Sequence, residues 1–393
     1  MQYELPLNKL ISTGKNISTS LIALIFSLFA IACGGANEVE TEDAPQLVIE
    51  QPPATILPEN NNSVNPQGDI TNLKLVNRNP DCAAYIGSYS AVINDLQQGD
   101  SFTSTLVITV NNDSCTMSSN NIPNHDVGGN TTTGTNFASN VAPNALNYVL
   151  NIPRNPTKNS VPSYVRKQGG FITLNGILLN GVDLDMDSAF CYNTEFTTPL
   201  QISLGTRSQC GLFADWYAVP AANPDYVVLD EYTGHPFDGR YHYHGDNNGL
   251  SHVEAGELES PSSTIVDPSG SPVIGFAPDG FPIYGHYFYD TETNNLRKAK
   301  SSWTTYTNER KTPAGSTMPF PPIATHTRGI FVEDWYYSAD SGDLDECNGM
   351  TDAYGNYGYY YTEDYPYGPL CSFGTPDPSF VMPNSAYNND GAN

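Results

Sequence analysis

The sequence predicts a mostly β fold: a single β-rich domain with sandwich-like or irregular sheets and long loops. Two observations favour this fold class. The 393 residues include 30 prolines, 33 glycines and 25 tyrosines, so the chain is rich in turn formers and in an aromatic residue that strands favour. Short runs of apolar and β-branched residues recur between Gly, Pro and Asn, whereas the sequence pattern contains no convincing amphipathic helix of about 12 or more residues.

The individual strands can be predicted in chain order. The run "SFTSTLVITV" at 101–110 alternates polar and apolar residues and ends at the turn "NND", which is the pattern of a half-buried strand. The stretch "GGFITLNGILLNGV" at 169–182 carries two β-rich runs separated by Asn175-Gly176. An Asn-Gly pair between such runs predicts a hairpin. Further short strands are predicted at 145–153, 225–232 and 271–280.

The N-terminal residues read as a lipoprotein signal peptide over 1–32. Lys9 and Lys15 precede the apolar run "LIALIFSLFAIA", which ends directly before Cys33 and is shorter than the roughly 20 residues that span a bilayer. The end of the run, "FAIACGG", resembles the bacterial lipobox, in which the cysteine is lipidated, although Ala30 stands where Leu is more common. The alternative is a plain secretory signal cut near Ala32. The lipid reading predicts a cell-envelope protein that is anchored to the membrane and faces the periplasm or the exterior.

Composition divides the rest of the chain into three parts. Residues 33–78 are rich in Pro, Asn and acidic residues, which predicts a disordered tether. Residues 79–375 carry the strand signals and are expected to form the β domain. Residues 376–393 are expected to be a flexible tail.

The cysteines and the charge agree with an exported protein. Apart from Cys33, six of the seven cysteines remain, and an even number in an oxidising compartment predicts disulfides. Their order favours three local pairs, although other pairings are formally possible. The net charge of −26 disfavours nucleic acid as a partner; the sequence identifies no protein partner. The six residues are Cys82, Cys115, Cys191, Cys210, Cys347 and Cys371.

The strongest candidate site is the stretch "GRYHYHGD" at 239–246. Side chains at i and i+2 of a strand share a face, so His242 and His244 are expected on one face, and Tyr241 and Tyr243 on the other. Two imidazoles on one face can bind a single metal ion, provided that another ligand joins them. Histidines that hydrogen-bond to backbone carbonyls beneath a tyrosine-rich sheet are the structural alternative.

Three further residues are candidates for the same site. His235 lies on a predicted turn seven residues before His242, which is near enough for the chain to fold back. Asp279, in "GFAPDGFPIYGH", would orient a histidine, bind metal or cap an Asp-Gly turn. His125 lies in the polar loop "NNIPNHD". For each of them, a purely structural turn or loop role is the alternative.

Other chemistries find less support in the sequence. Asp183 and Asp185 belong to an acidic run that resembles the start of a calcium loop, but the run lacks the turn Gly and the bidentate Glu. Calcium is therefore the less favoured ion, and a solvated strand face is the expectation for these carboxylates. The chain contains no convincing nucleophile elbow, phosphate loop or dinucleotide fingerprint.

Together these motifs resemble the YHYH domain family. "GRYHYHGD" is followed by "GFAPDGFPIYG" and then by "LDECNGMTDAYGNYGYYYTEDYPYGPLC", while "NNIPNHD" and "LNGILLNGVD" are similar to upstream blocks. The resemblance covers roughly 99–375 and implies one domain with a site but no settled reaction. It also implies a local disulfide between Cys347 and Cys371. The site residues that it implies are His125, His242, His244, Asp279, Asp345 and Asn348, with Tyr241 and Tyr243 framing the histidine pair.

One departure from the family pattern concerns Tyr360, which stands where a second histidine motif is expected. If that histidine helps to bind metal, this protein has either lost a ligand or uses another group, for which His286 and His326 are the candidates. Three functions then follow in order of preference. The first is an exported domain that binds a divalent transition metal, Cu or Zn. Its core ligands are His242 and His244, His125 is the expected third ligand, and His235 is a further candidate. The second is an extracytoplasmic enzyme with a His/Asp site for polymers or small molecules, and the third is a surface scaffold or adhesion module.

Overall fold

The computed structural model describes residues 67–71, 75, 77–128, 143–164, 171–186, 191–192, 204–205, 216–223, 229–230, 232–237, 239–245, 270–307, 310 and 321–383. All of them lie in one compact unit of the chain, Pro58–Asn393. The signal peptide, Cys33, Cys210 and most of the predicted strand at 225–232 fall outside the described residues. Nothing in the described part is a helix long and apolar enough to cross a membrane.

Strands dominate the described residues, as the sequence predicts, and the described helical segments are short 3-10 turns at Cys82–Tyr85, Val332–Asp334 and Pro378–Phe380. In chain order the strands are β1 (Gln67–Asp69), β2 (Gly87–Asn94), β3 (Ser101–Val110), β4 (Ser114–Ser119), β5 (Tyr148–Pro153), β6 (Ser163–Tyr164), β7 (Phe171–Thr173), β8 (Gly176–Leu178), β9 (Asp183–Leu184), β10 (Cys191–Tyr192), β11 (Leu204–Gly205), β12 (Gly234–Phe237), β13 (Arg240–Tyr243), β14 (Val273–Phe276), β15 (Pro282–Tyr284), β16 (Tyr287–Asp290), β17 (Asn295–Lys298), β18 (Trp303–Thr305), β19 (Trp335–Tyr337), β20 (Gly349–Thr351), β21 (Tyr357–Tyr360), β22 (Cys371–Ser372) and β23 (Val381–Pro383).

The first sheet has five strands in the order β1-β2-β3-β4-β5. Strand β3 covers the same residues, 101–110, as its predicted strand, and its Ser104, Leu106 and Ile108 are buried while the residues between them are exposed. This alternation gives the sheet one face in the core and one in solvent.

The second sheet has eight strands in the order β12-β13-β9-β8-β14-β15-β21-β20. Its central strands are buried along their whole length: every residue of β14, β15 and β21 is buried. Fully buried tyrosines and phenylalanines fill the space around it, among them Tyr284, Tyr359 and Phe276. Thirteen of the described tyrosines are buried, so many of the tyrosines in the composition are core residues.

The hairpin predicted at Asn175-Gly176 does not form. Strand β7 pairs with β23, while β8 pairs with β9 and β14. The hairpin turn uses the second Asn-Gly pair instead, where Gly181 has φ of +86° and its N–H donates to the carbonyl of Leu178. At the first pair, the Asn175 side chain accepts from the Met186 N–H and donates to the Pro369 carbonyl. Asn175 therefore anchors the chain between two sheets rather than turning it.

Two of the predicted local disulfides are present, Cys82–Cys115 and Cys347–Cys371. Both link segments close in sequence, and they agree with an extracytoplasmic compartment. The third predicted pair involves Cys210, which is outside the described residues.

The folded part extends beyond the predicted domain limits of 79 and 375 at both ends. Strand β1 lies in the segment predicted as tether, and Ile70 beside it is 1% exposed. Strand β23 lies in the segment predicted as flexible tail, and Phe380 before it is fully buried. Both ends contribute apolar side chains to the core: Ile70 and Leu75 at the N-terminal end, and Phe380 at the C-terminal end.

Candidate metal centre

Strands β12 and β13 form an antiparallel hairpin that brings three histidines to one face. His235 on β12 is directly opposite His242 on β13, and His244 follows two residues later on the same side. Because directly opposed residues and i, i+2 neighbours share a face of a sheet, the three imidazoles point the same way. The hairpin thus brings a third imidazole, that of His235, to the pair. These three residues are named the histidine group below.

The rings of the histidine group lie in mutual contact. Their centroids are 4.8 Å apart for His235 and His242, 5.2 Å for His235 and His244, and 4.6 Å for His242 and His244. The Nε2 atoms of His235 and His244 are 3.2 Å apart, and one nitrogen from each ring lies within 4.8 Å of the others. All three side chains are buried. Such a set could hold a metal ion.

The tautomer of His242 follows from its hydrogen bond. Its Nδ1 lies 3.1 Å from the Arg240 carbonyl oxygen, so Nδ1 carries the proton and Nε2 has the free lone pair. Burial, together with the positive charge of Arg240 and the neighbouring imidazoles, lowers the pKa of His242 well below its usual range. The ring is therefore neutral at physiological pH, which is the form that binds metals.

A buried ion-pair cluster lies next to the histidine group. Arg240, two residues before His242, contacts Asp183 at 2.5 Å and Asp185 at 3.1 Å, and strand pairing of β9 with β13 places these carboxylates beside the histidine pair. The expectation of a solvated acidic face is wrong for these two residues, since Asp183 is fully buried and Asp185 is 4% exposed. Arg240 neutralises part of their charge.

His125 does not join the histidine group. Its Nε2 lies 2.5 Å from the Tyr243 hydroxyl, and its Nδ1 lies 2.8 Å from the Asp126 carbonyl oxygen. Because Tyr243 projects from the opposite face of β13, His125 is on the tyrosine side of the strand. Both ring nitrogens are engaged there, so the expectation that His125 is the third ligand does not agree with this geometry.

The other predicted site residues support turns elsewhere in the domain. Asp279 accepts from the Tyr359 hydroxyl at 2.6 Å and from the Gly374 N–H at 2.8 Å, in the turn between β14 and β15. Its pKa is raised by burial. Asp345 accepts from the Tyr357 hydroxyl at 2.9 Å, and the Asn348 side chain donates to the Tyr360 carbonyl at 2.8 Å. These contacts fix loops in the other half of the eight-stranded sheet, away from β13.

Sequence reasoning did not single out Asp230 and Asn180. Asp230 accepts from the Tyr241 hydroxyl at 2.7 Å, and Asn180 donates to the Tyr243 hydroxyl at 3.0 Å. The strand alternation could have placed Arg240 on the histidine face, because it precedes His242 by two residues. No comparable signal marks Asp230 or Asn180, since their contacts cross between distant loops.

Fold and site together define a mostly β, disulfide-bonded domain with a buried group of three histidines. A family model described as YHYH protein matches residues 149–374; because this is more than half of the chain, the protein belongs to the YHYH family, as its motifs predict. The match includes the histidine group and begins after His125. No curated protein and no solved structure gives a significant match.

Proposed function

We propose that the protein binds one divalent transition-metal ion, Zn(II) or Cu(II), through His235, His242 and His244. The observation that carries this proposal is the convergence of three buried imidazoles, each with a nitrogen within 4.8 Å of the other two. Imidazole is a good ligand for both metals. Burying three polar rings beside one another costs free energy unless they bind something or bond to each other.

The spacing of one pair of nitrogens, those of His235 and His244, fits a tetrahedral ion. Zinc–nitrogen bonds of about 2.0–2.1 Å place two ligand nitrogens of a tetrahedron about 3.3–3.4 Å apart. The Nε2 atoms of His235 and His244 are 3.2 Å apart, and the tautomer of His242 turns the lone pair of its Nε2 away from the Arg240 carbonyl. The three nitrogens lie within 4.8 Å of one another, so ring rotations that bring the His242 nitrogen closer to the other two would complete a three-ligand site.

The number of ligands favours an enzyme as the second candidate function. Zinc sites with three protein ligands and an open fourth position are the catalytic kind, in which the metal activates water. The expected His/Asp pairing with Asp279 is not part of this candidate, because that carboxylate bonds to Tyr359 and Gly374. A hydrolytic activity that disappears with His242→Ala and survives Asp279→Asn would support it.

The cellular location of the site is part of the proposal. The lipobox-like "FAIACGG" supports a lipid on Cys33 and attachment to the cell envelope, and the two disulfides agree with that compartment. Mass spectrometry of the mature N-terminus tests the anchor: a diacylated Cys33 is expected, and an unmodified N-terminus after Ala32 would refute lipidation.

Elemental analysis of untagged protein tests the metal site. We expect about one zinc or copper ion per chain in the wild type and a loss of it in the His242→Ala/His244→Ala double variant. His326→Ala is the matched control, because it removes a histidine that is likewise 4% exposed but packs against Tyr192 and Phe331. Equal metal in wild type and double variant would refute the proposal. Loss of metal in the His326 variant would assign that histidine to the site.

A further inference from the structure

The face of β13 behind the histidine group consists of Tyr241 and Tyr243, both fully buried. Their rings meet edge to face, with centroids 5.4 Å apart. Each hydroxyl reaches a different polar partner from a different loop. The motif therefore has a ligand face and an anchoring face on a strand of only four residues, Arg240–Tyr243.

The anchor of Tyr243 is His125. Because the Nδ1 of His125 faces the Asp126 carbonyl oxygen at 2.8 Å, it carries the proton, and Nε2 accepts from the Tyr243 hydroxyl at 2.5 Å. The same hydroxyl accepts from Asn180 at 3.0 Å. The His125 ring is also stacked on Tyr232 with centroids 3.7 Å apart. Tyr243 is thus held in position by two hydrogen bonds at its hydroxyl, to His125 and Asn180, and its partner His125 is itself held by stacking on Tyr232.

The anchor of Tyr241 is Asp230, which also reaches the other strand of the hairpin. One carboxylate oxygen accepts from the Tyr241 hydroxyl at 2.7 Å. The other accepts from the N–H of Gly234, the residue before His235, at 3.0 Å. A Cβ at Gly234 would stand 2.3 Å from the Tyr241 hydroxyl oxygen, so only glycine permits this approach. Asp230 therefore couples the position of His235 to that of His242.

We propose that Asp230 and His125 are positioning residues of the histidine group, acting through Tyr241 and Tyr243 from the opposite face of the hairpin. This inference rests on the proposed metal binding. A metal ion requires its ligand nitrogens to be placed within a few tenths of an ångström. Strand β12, which carries His235, lies at the edge of the eight-stranded sheet, and β13 is its one neighbour among the described strands. Residues that hold ligands in place without touching the metal typically change its affinity by about 10–100-fold.

The test uses single oxygen deletions. Tyr241→Phe and Tyr243→Phe each remove one hydroxyl and keep the ring, and Asp230→Asn weakens the Tyr241 contact from the other side. The matched control is Tyr359→Phe, which removes a buried hydroxyl bonded to the buried carboxylate of Asp279 at 2.6 Å. The control breaks the same kind of hydrogen bond on β21, away from the hairpin.

Metal-free protein is titrated with Co(II), whose visible absorption reports coordination geometry, and with Zn(II) in competition with a chelator. We expect both hairpin Tyr→Phe variants to bind one ion about 10-fold or more weakly, with an altered Co(II) spectrum. Tyr359→Phe should bind within about twofold of the wild type. Adding Asp230→Asn to Tyr241→Phe should weaken binding no further than the stronger single variant, since the two residues act as one unit.

Two results would overturn the inference: unchanged affinity and spectrum in both hairpin variants, or an equal loss in Tyr359→Phe. If the wild type binds none of Co(II), Zn(II) and Cu(II), the proposed function fails, and the positioning claim is judged by ring ¹⁵N NMR of the metal-free histidines. Shifted signals of the histidine group in the hairpin variants, but not in the control, would still support positioning. Unshifted signals would refute the positioning inference.

Discussion

Breaking the Arg240–Asp183 ion pair should destabilise the domain strongly. Asp183 is fully buried, the Arg240 side chain is 18% exposed, and their contact is 2.5 Å. Replacing Asp183 by Asn removes one of the two carboxylates that balance the charge of the largely buried Arg240 guanidinium. Removing one partner of a buried ion pair typically costs about 3–5 kcal/mol of folding stability. Because Asp185 remains 3.1 Å from Arg240, we expect the lower end, about 3 kcal/mol.

The assay is urea unfolding of the Asp183→Asn variant, with thermal unfolding beside it. With an unfolding entropy of about 2 cal/mol/K per residue over the roughly 225 residues that the structure describes, a loss of about 3 kcal/mol lowers the Tm by about 6–7 °C. The control is Glu363→Gln, which removes a carboxylate that is 66% exposed from its pair with Lys298 and should cost less than about 1 kcal/mol. A change below about 1 kcal/mol in Asp183→Asn would refute the reasoning.

Three further outcomes are expected. Removing the disulfide whose cysteines are 33 residues apart, with Cys82→Ala and Cys115→Ala together, should cost about 3.7 kcal/mol by loop entropy, and equal urea midpoints would contradict this. The His242 pKa lies well below 6.5 in the fold, so the unfolded chain binds its proton first. Below about pH 6.5 the stability of the metal-free protein should fall by up to about 1.4 kcal/mol per pH unit from this residue, and His242→Phe should flatten that slope. Gly234→Ala would place a Cβ 2.3 Å from the Tyr241 hydroxyl and should cost about 1–3 kcal/mol by overpacking; a wild-type Tm would show that the ring moves freely.

Local patterns in the sequence predicted the first sheet better than the second. Strand β3 was predictable because its alternation records one buried face, and residues 101–110 form it. The hairpin at Asn175-Gly176 was not, since two Asn-Gly pairs lie close together and tertiary bonds to Met186 and Pro369 decide between them. The eight-stranded order joins strands from distant parts of the chain, and periodicity carries no information about such pairing.

The candidate site was predictable to the extent that strand alternation determines it. Period-two spacing was enough to place His242 and His244 together and the two tyrosines behind them. The position of His235 depends on hairpin register, which only the paired structure fixes. The same motif blocks that identify the family gave no means of distinguishing a ligand from an anchor, so His125 was predicted as a ligand although it bonds to Tyr243.

Tyr360 shows why a missing histidine need not mean a missing ligand. The sheet order places β21 five strands along from β13, which corresponds to about 24 Å at the usual strand spacing. A histidine there would be too far from the histidine group to bind the same ion. Tyr360 instead accepts from Arg78 at 2.9 Å, and the Arg78 guanidinium lies 4.1 Å from the centre of the Tyr284 ring. The substitution therefore belongs to the packing of a buried arginine, and the three-histidine site requires no replacement from His286 or His326.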